Sequence, residues 1–177
     1  MKPLALLTLL LVLLPPARLH AQEATPPENP VITSLKGLHD ITVTNLLKTA
    51  EMLDEKMYAY RPTNEVRTAG QILAHVANAQ FFFCATAAGE ANPNTRNYEE
   101  TATTRDAILA ALKDGFDYCT GVYARLTDAG GSQMRDLFGR KMAASAILAF
   151  NAAHNYEHYG NLVTYMRLNG IVPPSSM

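Results

Sequence analysis

Several residue types are scarce in this sequence of 177 residues, and each scarcity excludes a class of protein. It has no tryptophan and only two cysteines, too few for a small domain held by several disulfides or for a four-cysteine zinc site. Ten glycines and ten prolines exclude a collagen-like or low-complexity chain. Positive charge is not in surplus, because 15 lysines and arginines face 16 acidic residues. A general nucleic-acid-binding protein needs that surplus to neutralise phosphates, so no nucleic acid is expected as a partner.

The rest of the composition is that of an ordinary globular protein. Hydrophobic residues make up 48 % of the chain and charged residues 18 %. This balance, together with the length, predicts one folded domain with its own core and a short extra segment.

That extra segment is the N-terminus, which has the anatomy of a secretory signal peptide. In residues 1–21, Lys2 precedes an apolar run from Leu4 to Leu14, two prolines end the run, and Ala21 offers a small residue for cleavage. The run is about half of the roughly 20 apolar residues that a membrane span requires. We therefore expect an exported protein, periplasmic or secreted, with no stable membrane anchor after cleavage. An uncleaved anchor helix is the alternative.

The chain beyond the signal divides into a lead-in and a domain. Residues 22–32 begin with a polar, proline-rich stretch and are predicted to be a flexible lead-in. Within residues 33–176 the apolar spacing predicts four helices, over residues 34–60, 68–89, 104–127 and 143–169.

Capping residues support the ends of these helices. Ser34 is expected to cap the first helix, and Thr68 with Gln71 matches a capping box at the start of the second. Gly170 suits the left-handed residue that follows a helix. Residues 132–142 are interpreted as a turn or irregular piece, and no segment shows strand alternation. The sequence thus predicts an all-α four-helix bundle.

Three histidines occupy positions where the helical pattern calls for apolar residues. His75 lies on the stripe of the second helix, between Ile72 and Ala79. His154 and His158 are four residues apart on the last helix, beside Phe150 and the other residues assigned to its inward face, Ile147, Leu162 and Tyr165. Side chains at this spacing lie about 5–6 Å apart on one face of a helix. A lone histidine on such a stripe is more often a hydrogen-bonded core residue than a metal ligand.

Together the three histidines favour a metal site over a core. Buried imidazoles each need a partner for a donor and an acceptor, and burial disfavours their charged form. A divalent ion takes one nitrogen from each ring, and three histidines with an open fourth position are typical of a catalytic site. Imidazole suits zinc, nickel, copper and iron alike.

Two segments carry a specific resemblance. VRTAGQILAHVANAQFFFCATAAGE (66–90) and FNAAHNYEHYGNLVTYMRLNGIVPPSS (150–176) look like the DinB-like (YfiT-like) metal-binding superfamily. The resemblance implies a four-helix bundle with His75, His154 and His158 as ligands. It implies zinc first, with nickel or iron as alternatives, and family members are often dimers. Many members are cytosolic, so the export signal is a departure.

The function implied is metal chemistry on an unknown small molecule. The first hypothesis is a hydrolase in which Glu157 assists proton transfer to or from a metal-bound water. The resemblance adds a metal-dependent thiol S-transferase as an alternative, and a non-enzymatic scaffold whose metal only holds helices together is a third. Arg67 and Arg140 are interpreted as solvated surface charges, with contact to an anionic substrate as the alternative.

The two cysteines lie on different predicted helices. In an exported protein, Cys84 and Cys119 are expected to form a disulfide, and two buried thiols are the alternative.

Overall fold

The fold, a computed structural model that describes residues 28–177, is built on four long helices joined by short elements. The signal peptide predicted over residues 1–21 lies outside the described residues, as does the lead-in as far as residue 27. In chain order the elements are α1 (Pro30–Met52), α2 (Glu55–Tyr58), α3 (Ala69–Ala88), α4 (Tyr98–Thr101), α5 (Arg105–Arg125), α6 (Asp128–Gly131), β1 (Met134–Leu137), β2 (Arg140–Ala143), α7 (Ala144–Leu168) and a closing 3₁₀ turn (Pro174–Ser176).

The four long helices pack as a bundle. Helix α3 packs against α5 and α7, and α1 packs against the same two helices from the opposite side. Each long helix therefore has two long neighbours, as the predicted bundle requires. Among the described helices, none combines the length and the apolar character needed to cross a membrane.

Side-chain caps set several helix ends as predicted. Thr68 accepts from the backbone N–H of Gln71, and the Gln71 side chain accepts from the backbone N–H of Thr68, which completes the capping box. At the other end of α3, Gly89 adopts φ 74°. Gly170 adopts φ 72° after α7. Both values lie in the left-handed region that favours glycine.

The first helix differs from the prediction at both ends. It begins at Pro30, within the predicted lead-in, because proline is well suited to the first position of a helix. Ser34 is not a cap; its hydroxyl donates to the carbonyl oxygen of Pro30 inside the helix. The helix ends at Met52 rather than near residue 60. Asp54 ends it by accepting from the backbone N–H of Met57, which starts the separate short helix α2.

Residues 132–142, predicted to be irregular, contain an antiparallel hairpin. Strands β1 and β2 pair with Leu137 opposite Arg140, so that Phe138 and Gly139 form a two-residue turn. The strands have four residues each, too few to reveal an alternation in the sequence. A turn of this type normally has asparagine, aspartate or glycine at both central positions. Here phenylalanine takes the first position, so the sequence lacks the usual signal for the turn.

Cys84 on α3 and Cys119 on α5 form the predicted disulfide. Their Cα atoms are 5.3 Å apart, and both side chains are fully buried. Closing a loop of 35 residues contributes about 3–4 kcal/mol in the chain-entropy model.

His39 is a buried histidine on α1 that takes no part in the predicted metal site. Its ring stacks on Tyr123 with centroids 4.5 Å apart, and its Nε2 lies 3.3 Å from the hydroxyl of Thr120. Burial outweighs the attraction of Asp40 and lowers the pKa of His39 from 6.5 to about 4. The ring is therefore neutral in the folded protein near neutral pH.

We expect this histidine to make the fold acid-sensitive. The unfolded chain binds a proton at His39 below about pH 6.5, whereas the folded chain does not until about pH 4, so the free energy of unfolding falls as pH drops through this window. In His39→Gln the slope should be smaller by up to about 1.4 kcal/mol per pH unit. Urea denaturation of both proteins at pH 7, 6 and 5 measures the difference, and parallel pH profiles would contradict the assignment.

Candidate metal centre

The three predicted ligands meet between α3 and α7. Nε2 of His75 lies 3.1 Å from Nε2 of His154, which in turn lies 3.0 Å from Nε2 of His158. One ligand atom from each ring lies within 4.8 Å of those of the other two. His75 and His154 are partly exposed and His158 is buried. The helical spacing of the sequence is thus sufficient to find all three members of the cluster.

A carboxylate from the connection between α3 and α5 orients His75. Glu99 on α4 places Oε1 2.6 Å from Nδ1 of His75, and its Oε2 accepts from Nε of Arg67 at 2.8 Å. Burial alone would raise the pKa of Glu99, but the hydrogen bonds from Arg67 and His75 outweigh it and hold that pKa below its ordinary value. An ionised carboxylate only accepts, so Nδ1 of His75 carries a proton, and in the neutral ring Nε2 then presents a lone pair.

Three neutral histidines cannot make a simple hydrogen bond at both of the short Nε2 contacts in the cluster. Because Nε2 of His75 carries a lone pair, Nε2 of His154 must donate to it to make a hydrogen bond. It then has no lone pair for Nε2 of His158, 3.0 Å away. The other tautomer of His154 sets two lone pairs 3.1 Å apart instead. Either way, one of the two short contacts joins atoms that do not form a simple hydrogen bond.

Protonation is also disfavoured. Burial lowers the pKa of His154 to about 3, with further contributions from its histidine neighbours His158 and His75. Burial likewise lowers the pKa of His158. The Nδ1 atoms of both rings are buried and lack hydrogen-bond partners among the described residues.

These features fit a divalent metal ion. With bonds of about 2.0–2.1 Å and tetrahedral angles, neighbouring nitrogen ligands lie about 3.3–3.4 Å apart, so the Nε2 contacts of 3.1 and 3.0 Å are within a few tenths of an ångström of that spacing. Three lone pairs facing one cation remove the conflict between them. The His75, His154 and His158 group could therefore hold a metal ion.

Two cavities flank the cluster. A cavity of about 490 Å³ adjoins His75 and His154, and its other lining residues are Asn78, Ala79, Phe82, Phe83, Glu99, Phe138 and Phe150. A more polar cavity of about 350 Å³ adjoins His158 and is lined by Arg67, Glu157, Asn161 and Tyr165 among others. The first is walled mainly by aromatic rings, the second by a mixture of charged, amide and apolar side chains.

Of the other residues singled out from the sequence, some lie beside the triad and others lie away from it. Glu157 is exposed and lies in the polar cavity beside His158. Arg67 is exposed, as expected of a surface charge, and its Nε also donates to Glu99 beside His75. Arg140 lies exposed on the hairpin. Phe150, predicted to face inward, is 43 % exposed and lines the aromatic cavity instead of the core.

Glu99 is the functional residue that sequence reasoning missed. It lies on a helix of four residues, 24 positions from His75, in a connection without periodic apolar residues. Only Asn97, which caps α4 through its side chain, gives a local signal for that helix.

Comparison with known proteins agrees with this architecture. A family model described as the DinB superfamily matches residues 39–162. The chain belongs to the DinB superfamily. The predicted resemblance is thereby confirmed.

Two proteins illustrate the likeness. The uncharacterized protein YjoA of Bacillus subtilis (strain 168) is 29 % identical over 132 residues, which cover 72 % of this chain and 82 % of YjoA. Its crystal structure aligns with TM-score 0.61 and 23 % identity, over 80 % of this chain and 92 % of that one. A DinB-like protein from Bacillus cereus ATCC 10987 aligns with TM-score 0.70 and 19 % identity, over 81 % and 95 %.

A third structural neighbour has a named activity. The mycothiol-dependent maleylpyruvate isomerase aligns with TM-score 0.62 and 16 % identity, covering 74 % of this chain and 60 % of the isomerase. This degree of identity shows a shared fold.

The role of Glu99 is testable through the tautomer of His75. In long-range ¹H–¹⁵N spectra of the metal-free protein near pH 8, we expect His75 to carry its proton on Nδ1, because Glu99 accepts it. Glu99→Ala should shift His75 toward the Nε2–H form. Glu100→Ala, which removes an exposed carboxylate from the same short helix, is the matched control and should leave the spectrum unchanged. An unaltered His75 signal in Glu99→Ala would contradict the assignment.

Proposed function

We propose that this DinB-superfamily protein binds one divalent transition-metal ion through His75, His154 and His158 and uses it to hydrolyse a small molecule. The observation that carries the proposal is the cavity of about 490 Å³ that opens directly onto the triad. A metal that only holds helices together needs no such space, whereas a catalytic site needs an open position for substrate. Zinc is the first expectation and nickel or iron the alternatives.

The residues around the triad have separate tasks in this proposal. Glu99, itself held by Arg67, keeps the proton of His75 on Nδ1 and so keeps Nε2 available as a ligand. The aromatic cavity accommodates substrate and limits water. Bound by the triad, a divalent ion would supply Lewis-acid chemistry at this end of the cavity.

Glu157 is proposed to move the proton. It neighbours His158 in the chain and lines the polar cavity beside it, and no hydrogen bond or ion pair to another described residue occupies its carboxylate. Glu99 is unsuited to the task because both of its oxygens are already engaged, by Arg67 and His75. An exposed carboxylate near the triad can exchange protons with solvent after each turnover.

A second candidate is thiol-dependent chemistry at the same site. The structural likeness to a mycothiol-dependent isomerase favours it. A thiolate would take the open ligand position in place of water. Adding thiols to the same assays separates the two candidates.

Export remains part of the proposal. A fully buried disulfide is a feature of proteins that fold in an oxidising compartment, and it agrees with the signal-peptide pattern of residues 1–21. We expect the mature chain in the periplasm or medium, acting on a small molecule, and a homodimer is compatible with the family.

Metal content tests the first half of the proposal. Protein purified without an affinity tag, loaded with zinc and desalted, should retain about one equivalent by elemental analysis, because three imidazoles form the site. His154→Ala should retain less than about 0.2 equivalents, since two histidines remain. His39→Gln, which removes a buried histidine outside the triad, is the control, and circular dichroism confirms folding of each variant. Wild-type protein that takes up no metal would overturn the proposal.

Hydrolysis of 4-nitrophenyl acetate tests the second half. The zinc-loaded protein should release nitrophenolate faster than the metal-free protein. Glu157→Gln should lower this rate by about 10²-fold or more without changing zinc content, because it removes a proton-transfer group. Glu100→Gln, an exposed acid outside both cavities, should have no effect. A metal-independent rate would contradict hydrolysis at the triad.

A further inference from the structure

The cavity beside His75 and His154 is walled by four phenylalanines that form one connected cluster. The rings of Phe82 and Phe138 stack with centroids 5.6 Å apart, and Phe83 contacts Phe150 edge to face at 5.2 Å. Phe83 also meets the ring of His154 at 5.4 Å. Three of the four rings remain substantially exposed: Phe82 at 37 %, Phe150 at 43 % and Phe138 at 67 %. Large apolar side chains exposed together at one concave site indicate an interaction site.

Phe138 occupies a backbone position that phenylalanine rarely adopts. It is the first residue of the hairpin turn, with φ 53°, and it is the one non-glycine residue with positive φ among residues 28–177. Such turns favour asparagine, aspartate or glycine there, because a larger side chain raises the conformational energy. The hairpin thus holds an aromatic ring over the cavity at a cost to its own stability. Strained backbone conformations of this kind are common at binding sites.

The polar groups in the cavity wall are already satisfied by the protein. Asn78 donates to Asn97 and accepts from the backbone N–H of Tyr98. Glu99 is engaged by Arg67 and His75. Among residues 28–177 no lysine or arginine lines the cavity, and its carboxylate, that of Glu99, is already paired with Arg67. At the end where the triad lies, the cavity is lined by His75 and His154, whose Nε2 atoms are the proposed metal ligands.

We propose that this cavity binds an uncharged aromatic group of the substrate, whose reacting group reaches the triad, and that Phe138 determines this specificity. This proposal rests on the proposed function in one respect: the substrate reacts at the triad. The cavity of about 490 Å³ is within the range of small-molecule sites, about 300–1,000 Å³. Aromatic rings bind one another in stacked and edge-to-face geometries, both of which the cluster offers. A phosphate or carboxylate on this part of the ligand would find no cation.

Two metal-binding probes that differ only in their tail test the proposal. Acetohydroxamate and benzohydroxamate share a coordinating head group, and isothermal titration calorimetry of the zinc-loaded protein gives the Kd of each. We expect benzohydroxamate to bind about ten-fold tighter or more, since a phenyl ring buries far more apolar surface than a methyl group. Equal affinities would overturn the proposal and leave the metal site standing.

Phe138→Asn is the decisive variant because it does not threaten the fold. Asparagine suits the turn, so stability should be unchanged or higher. The preference for benzohydroxamate should nevertheless fall to about two-fold or less, while the affinity for acetohydroxamate stays constant. Met134→Ala, which removes an exposed apolar side chain from the same hairpin but outside the cavity, is the matched control and should keep the preference. Full preference in Phe138→Asn would contradict the role of this residue.

A probe without a coordinating group separates this proposal from that of the metal site. Fluorobenzene should show a broadened ¹⁹F signal with metal-free wild-type protein, and the broadening should be lost in Phe138→Asn. This result would support the cavity even if the triad bound no metal, and no broadening would count against it. The other occupant to test is a second copy of this chain. Analytical ultracentrifugation of both proteins measures this: a wild-type dimer that dissociates in Phe138→Asn would overturn the proposal in favour of an interface between copies.

Discussion

The geometry of the triad depends on three buried amides, joined by two hydrogen bonds, that set α3 and α7 in register. Gln80 donates to Asn155 Oδ1 at 2.6 Å and accepts from Asn151 Nδ2 at 3.0 Å, so one side chain of α3 bridges two residues one turn apart on α7. A slip of one helical turn, about 5.4 Å, would break both bonds. It would also carry His154 and His158 away from His75. Apolar packing alone tolerates such slips better than buried polar groups that must find their partners.

The same polar network extends to the other two long helices. Asn155 donates to the hydroxyl of Thr42 on α1, and Asn151 Nδ2 lies 3.3 Å from the sulfur of Cys119 on α5. Each of these groups is fully buried or nearly so. The bundle is therefore tied across its interior next to the histidines, and the disulfide adds a covalent link between α3 and α5. A rigid frame of this kind holds the three histidines at fixed positions.

The long helices and the short connections contribute differently to the site. All three histidines lie on long helices, where backbone hydrogen bonds fix their positions. Glu99, which orients His75, comes from a four-residue helix. Phe138, which lines the cavity, comes from a hairpin turn. The triad also separates an aromatic cavity from a polar one. Long helices thus present the three histidines, and the connections shape what surrounds them.

The sequence by itself determined the features that repeat within one helix. The spacing of His154 and His158, the capping box at Thr68 and the four long helices follow from a period of 3.6 residues and from local hydrogen bonds. Only the tertiary structure decided the pairing of His75 with Glu99, the break of α1 at Asp54 and the turn that exposes Phe138. The physical reason is that Glu99 and Phe138 lie in connections, where no periodic pattern sets the chain's direction and packing between distant segments chooses the contacts.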